Sequence, residues 1–287
     1  MRVEDIVDAI RVLETVLPAD VESRLRDALR QENGIGRKVM EAIVENVKYA
    51  KERRVPICQD TGILEFFVRC SEGHEEIRRK IAEAVKKATG EVPLRANTVN
   101  PFTRENEGRN LGRFHPIVHF EGRAKKDGIV EMGIIAKGAG SENVSASFML
   151  DPMQGVEGIK NVVLQTVKRA GAKPCPPIVV GVGVGGSLER AAYYAKRALL
   201  RPLNQKNGNS RLAELEEELL ERINALGIGP MGFGGKTTSI GVLVEWGHCH
   251  TASLPVSVNI QCWALRRVSV EWRDQEFRFV NYEEVDE

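Results

Sequence analysis

The stretch Pro56-Ile57-Cys58-Gln59-Asp60-Thr61-Gly62 limits the fold more than any other, because backbone periodicity has to change across it. Upstream, Val39, Ile43 and Val47 recur at helical spacing and predict a helix over about 35–53. Downstream, Ile63-Leu64-Glu65-Phe66-Phe67-Val68 has the length and apolar character of a mostly buried strand. A turn between the two needs little beyond Pro56 and Gly62. The thiol, amide, carboxylate and hydroxyl packed between them are therefore candidates for chemistry rather than for chain reversal.

The 287 residues can bury a sizeable core. A formal net charge of +1 offers no general electrostatic reason to expect nucleic acid or an anionic membrane as partner. No apolar run approaches the length of a membrane span, and Met1-Arg2-Val3-Glu4-Asp5 opens a charged amphipathic helix rather than a secretory signal. A cytoplasmic protein is expected. Five scattered cysteines, an odd number in a chain of this length, argue against a disulfide framework and leave thiolate ligands possible.

Further helices are predicted over 3–31 with a break near Leu17-Pro18, and over about 74–89, 156–170, 187–200 and 210–225. Strands are predicted near 117–121, 130–136 and 238–244, with one edge strand over about 269–280 leading into an acidic end. The expected fold is α+β, with mixed, largely antiparallel sheets packed between helices. One compact catalytic domain over 1–287 is expected, residues 1–54 forming its helical N-terminal part.

Several other segments carry chemistry. The amide- and arginine-rich loop Pro93–Asn106 is long enough to suggest function, and Arg95 and Arg104 have the fork that matches a carboxylate. Lys137-Gly138-Ala139-Gly140-Ser141 is small enough to let backbone N–H groups approach an anion. Gly181-Val182-Gly183-Val184-Gly185-Gly186 satisfies the dinucleotide pattern, but a loop stands where its acid-terminated second strand should be. Gly229–Thr237 imitates a phosphate loop, with Pro230 in place of a required glycine and a β-like run where a helix should begin. In His248-Cys249-His250 only the two histidines could share one side of an extended segment, which leaves a structural zinc short of ligands. Cys175 lies among three prolines, and Cys262 ends the run that begins at Leu254.

Taken together, Cys58-Gln59-Asp60-Thr61-Gly62, Leu94-Arg95, Lys137–Ser141, Cys175-Pro176-Pro177, Gly232–Thr238 and His250-Thr251-Ala252-Ser253 form a combination that resembles the iron-sulfur-dependent hydro-lyases. These are class I fumarase and L-tartrate dehydratase, and the similarity is to the alpha subunit of the two-subunit forms, over nearly the whole chain. The resemblance implies a [4Fe-4S] cluster held by Cys58, Cys175 and Cys262, with one iron lacking a protein thiolate and therefore sensitive to oxygen. It implies Asp60 and His250 as proton-handling groups, and Gln59, Arg95 and Gly138 as contacts to a small dicarboxylate. The implied reaction is hydration of fumarate to L-malate, a step of the tricarboxylic acid cycle. Tartrate dehydration is the alternative, which these motifs do not separate. Single-chain members carry a second domain that supplies further basic residues and the group that removes the C–H proton. A separate beta subunit is expected in that role, in an assembly of two alpha and two beta chains, with the alpha chain inactive alone.

Overall fold

The structure, a computed structural model, describes residues 1–122, 124, 128–273 and 276–280. In chain order the elements are α1 (Val3–Thr15), α2 (Ala19–Gln31), α3 (Gly34–Arg53), β1 (Ile63–Arg69), α4 (His74–Glu91), β2 (Ile117–Phe120), β3 (Ile129–Lys137), α5 (Ala139–Glu142) and β4 (Ala146–Leu150). After these come α6 (Gly155–Ala170), β5 (Ile178–Gly186), α7 (Leu188–Ala198), α8 (Ser210–Asn224), β6 (Ser239–Cys249), β7 (Leu254–Gln261), β8 (Arg267–Arg273) and β9 (Glu276–Val280). They gather into two compact units. The first holds Met1–Ala19, Asn46–Gly138 and the described residues from Ala264 on; the second holds Asp20–Glu45 and Ala139–Trp263.

The first unit is built on a five-stranded sheet in the order β2-β1-β3-β8-β9. Here β1 and β2 run parallel, and the other neighbours are antiparallel. Ile6, Ile10 and Leu13 fall on one face of α1 because they are spaced at its 3.6-residue period, and they pack with Ile77 and Ile81 of α4 against Phe66, Ile134 and Val268 of the sheet. The helix starts with the Asp5 carboxylate accepting the Arg2 N–H at 2.9 Å and stops ahead of Pro18.

The second unit has a four-stranded sheet in the order β4-β7-β5-β6, with β5 and β6 parallel and the remaining neighbours antiparallel. Its core joins Val163 and Val167 of α6 and Leu219 and Ile223 of α8 to Val180, Val242, Val258 and Ile260. The mixed, largely antiparallel architecture expected from the sequence is present in both units.

The dinucleotide-like segment lies inside β5, where no phosphate loop can form. A Cβ added at Gly181 would lie 2.0 Å from the Ala195 carbonyl oxygen, and one at Gly183 would lie 2.0 Å from that of Ala191. The glycines on the strand and the buried alanines on α7 let a helix backbone sit directly on a sheet backbone. One expectation is corrected. The single edge strand over 269–280 is a hairpin of β8 and β9, with β8 inside the sheet, because alternation continues through a reversal that neither Gly nor Pro marks. The acidic end after Val280 lies outside the described residues. β4 has no signal in the sequence because Ala146-Ser147-Phe148-Met149-Leu150 is short and contains no β-branched residue.

Gly183→Ala should destabilise the fold by about 3 kcal/mol, since the obstacle is backbone and cannot rotate away. Urea unfolding of the variant against wild type measures it.

Candidate active site

Within the first unit, the segment from Ile57 to Gly62 is strapped on every side. The Ile57 N–H donates to the Glu14 carbonyl at 2.8 Å, and the Ile57 carbonyl accepts from Asn46 Nδ2 at 2.9 Å. The Asp60 carbonyl accepts from Arg266 Nη2 at 2.8 Å. Asp60 Oδ1 accepts from the Gly62 N–H at 3.0 Å and from Asn97 Nδ2 at 3.2 Å. Thr61 is buried, and its hydroxyl oxygen accepts the Arg95 N–H at 3.1 Å. Gly62, at φ +76°, packs so closely on the Lys137 backbone that a Cβ would lie 2.8 Å from it. Asp60 Oδ2 sits 3.1 Å from where a Gly138 side chain would begin. Glycine at both positions lets the end of β3 lie against this loop. Gln59 is exposed and Cys58 half-buried at its surface.

Of the residues expected from the sequence, Asp60, Gly138 and Arg95 are thus brought together. The Arg95 backbone is held on both sides, its carbonyl accepting from Asn110 Nδ2 at 3.0 Å, and its exposed guanidinium makes no ion pair among the described residues. Arg104 lies at an exposed turn with φ +63° and is not part of this grouping.

Three participants carried no recognisable signal. Asn97 was visible only as one amide among several in its loop. Glu14 and Arg266 lie 252 positions apart, are 0% and 1% exposed, and meet at 2.5 Å between Glu14 Oε2 and Arg266 Nη1. Burial pushes the Glu14 carboxyl up to about 7; Arg266 pulls in the opposite direction, and Asp60 adds a smaller upward push.

The second unit carries Cys175, Cys262 and His250. Cys175 is exposed and adopts φ +54°, a left-handed backbone that costs a non-glycine residue about 1 kcal/mol and is held here by its neighbours. Its N–H donates to Ala172 at 3.1 Å, and its carbonyl accepts from Trp263, the residue after Cys262, at 3.3 Å. His250 is exposed, and its Nδ1 accepts the Ala252 N–H at 3.1 Å. A neutral His250 must then carry its proton on Nε2. His248 stacks edge-on with Trp246, their ring centres 5.2 Å apart. Among the described residues no three His, Cys, Asp or Glu side chains are gathered closely enough to hold a metal ion.

The segment resembling a phosphate loop also has a tenant. The Lys236 and Thr237 N–H groups donate to Glu32 Oε1 at 2.8 and 2.6 Å, and a Cβ at Gly235 would lie 2.6 Å from Glu32 Oε2. The glycines bring the backbone up to a carboxylate of this chain itself. With the helix-packed glycines of β5, this removes both nucleotide-site patterns.

Glu14 binds its proton more tightly in the folded chain than at the ordinary 4.5, so its contribution to stability is full below about 4.5 and is lost as pH rises towards 7. Urea unfolding at pH 5 and pH 8 should show wild type losing stability relative to Glu14→Gln at the higher pH.

The family profile described as Fumarate hydratase (Fumerase) matches residues 3–271. A Methanocaldococcus jannaschii chain, provisionally named L(+)-tartrate dehydratase subunit alpha, is 47% identical over 274 residues, covering 93% of this chain and 96% of that one. L(+)-tartrate dehydratase subunit alpha of Escherichia coli K12 is 33% identical over 268 residues, covering 92% and 88%. A Geobacillus stearothermophilus protein, provisionally named fumarate hydratase class I, is 38% identical over 279 residues; these make up 93% of this chain but 54% of that longer protein. A strapped Cys-Gln-Asp-Thr-Gly loop and a match over nearly all its length place this chain in the fumarate hydratase (Fumerase) family of hydro-lyases.

Proposed function

We propose that this chain is the alpha subunit of a [4Fe-4S] hydro-lyase that reversibly hydrates fumarate to L-malate, with its active site completed by a separate beta subunit. The observation that carries the reading is the Asp60 carboxylate, gripped through one oxygen by two donors and set against Gly138, in a loop that begins with a thiol. Relatives named as alpha subunits, and a longer relative of which this chain spans about half, support a companion chain. We propose two copies of each in a reducing cytoplasm.

The donor chemistry suits an iron-sulfur cluster. Cys58, Cys175 and Cys262 are thiols rather than disulfides, half-buried or exposed. The other two cysteines suit it less. Burial pushes the Cys70 thiol up, away from the thiolate that a metal needs, and the Cys249 thiol donates to the Ser253 carbonyl at 3.2 Å. Cys58, Cys175 and Cys262 would hold the cluster, which when bound supplies a Lewis-acidic iron lacking a fourth thiolate.

The chain's own residues do the rest. Arg95 would pair one substrate carboxylate through its planar fork, on a backbone too well held to drift. Gln59 and the backbone at Gly138 would position the other end. Asp60 would take or return the proton of the entering or departing water at its carboxylate, and His250 would work through Nε2, since Nδ1 already accepts a backbone N–H. Removal of the substrate's C–H proton falls to the beta subunit.

Dehydration of L-tartrate is the second reading, favoured by the names of the relatives called alpha subunits. L-Malate and L-tartrate both offer paired carboxylates and a hydroxyl on the carbon next to one of them, so the groups above serve either reaction.

Anaerobic co-expression with the companion chain, then assay on fumarate and L-tartrate side by side, tests the proposal. Activity should require both chains and lapse in air. About four irons and four sulfides per alpha chain are expected, falling sharply in Cys58→Ser. Asp60→Asn should lower kcat by roughly 10²- to 10⁴-fold. Unchanged iron content in Cys58→Ser, or full activity from the alpha chain alone, would refute the assignment.

A further inference from the structure

We propose that the buried Glu14–Arg266 pair is a positioning device that holds the Asp60 carboxylate in its working place, rather than a contact that merely stabilises the fold. The inference rests on the hydro-lyase reading for its catalytic meaning, and on the geometry of the first unit for its physical content.

Arg266 is the largest fully buried side chain among the described residues. A guanidinium at that depth gives up its hydration, and an apolar pair of similar volume would generally stabilise a core as well or better. What an apolar side chain could not do is donate in two fixed directions. Nη1 meets Glu14 Oε2 at 2.5 Å, while Nη2 meets the backbone carbonyl of Asp60 at 2.8 Å. The planar fork therefore converts the position of α1 into the position of the Asp60 peptide.

Glu14 contributes twice. Its carboxylate orients the fork, and its carbonyl accepts the Ile57 N–H at 2.8 Å, three residues before Asp60. One residue thus reaches the loop directly at Ile57 and through Arg266 at Asp60. Arg266 is itself held in register, its carbonyl accepting the Ala136 N–H at 3.2 Å two residues before Gly138, the glycine that faces Asp60 Oδ2. Both sides of the Asp60–Gly138 approach are referred to this one residue, the Asp60 side through its guanidinium and the Gly138 side through its backbone carbonyl. A displacement of about 1 Å at a proton-handling carboxylate is enough to cost on the order of 10²-fold in rate, so such a fixture has a kinetic consequence out of proportion to its size.

Two arms test the proposal, using Arg266→Lys and Glu14→Gln. In the first, hydrogen exchange on the full alpha chain is compared with wild type. The Gly62 and Arg95 amides, which bond to Asp60 Oδ1 and Thr61 Oγ1, should exchange at least tenfold faster, while the central amides of β1 and β3 keep their protection. In the second, the two-chain enzyme is assayed anaerobically. Arg266→Lys should lower kcat on the order of 10²-fold with KM within about twofold, and should add little further loss in an Asp60→Asn background, because both changes act through one group. Should Arg266→Lys fail to fold, Glu14→Gln decides alone, with the same pattern at smaller amplitude.

Unchanged loop exchange in the folded variants overturns the proposal. So does faster exchange spread evenly over the first unit, or a loss that simply adds to that of Asp60→Asn. A wild-type enzyme inactive on both diacids would instead remove the hydro-lyase reading and leave the exchange arm to judge the positioning claim.

Discussion

The guanidinium of Arg266 is where the first unit's architecture and its chemistry meet. α1 is tied at both ends to the β8 side of the sheet: at its start the Trp272 indole N–H donates to Asp5 Oδ2 at 2.9 Å, and at its end Arg266 closes on Glu14. Between those polar ties Ile6, Ile10 and Leu13 supply apolar contact, which is non-directional and so cannot set the helix's register along the sheet. The two hydrogen-bonded ends can. Register then passes through Arg266 and the Glu14 carbonyl to the loop that carries Cys58, Gln59 and Asp60, whose order is inherited from a helix more than forty residues earlier.

Glycine serves the opposite purpose to the one its patterns suggest. In both Gly-rich segments the missing side chains admit a neighbour from within the protein: the carbonyls of α7 over Gly181 and Gly183, and the Glu32 carboxylate at Lys236 and Thr237. A phosphate and a buried carboxylate ask the same thing of a backbone, namely N–H groups with no Cβ in the way. Spacing alone cannot say which anion is meant, or whether one is meant at all. The element that follows is more informative, since a dinucleotide site needs its glycines in a turn between strand and helix, whereas here they lie within β5.

The helices were largely readable because each has its own periodic face. The break at Pro18 and the long helix leading to Cys58 both appear where the pattern puts them. Strands fared less evenly. β1 and β3 are apolar enough to be recognised from their own residues, whereas β4 gains its identity from pairing with β7, and the β8–β9 reversal leaves no mark in the alternation. The site divides in the same way. Cys58, Asp60, Arg95 and Gly138 stand in short motifs that can be picked out locally. Asn97, Glu14 and Arg266 reach partners 37, 252 and 206 positions away.

By itself the sequence determined the hydro-lyase motifs, the helical N-terminal part, the mixed character of the sheets and the family, because all of these depend on residue type and near-neighbour spacing. Tertiary structure alone decided that a buried arginine late in the chain grips the Asp60 peptide, that an early glutamate orients that arginine, and that the glycine-rich segments receive a helix and a carboxylate in place of a nucleotide. The physical reason is that directional contacts between residues distant in sequence leave no periodicity to read. They exist only once the core has brought their two ends within about 3 Å.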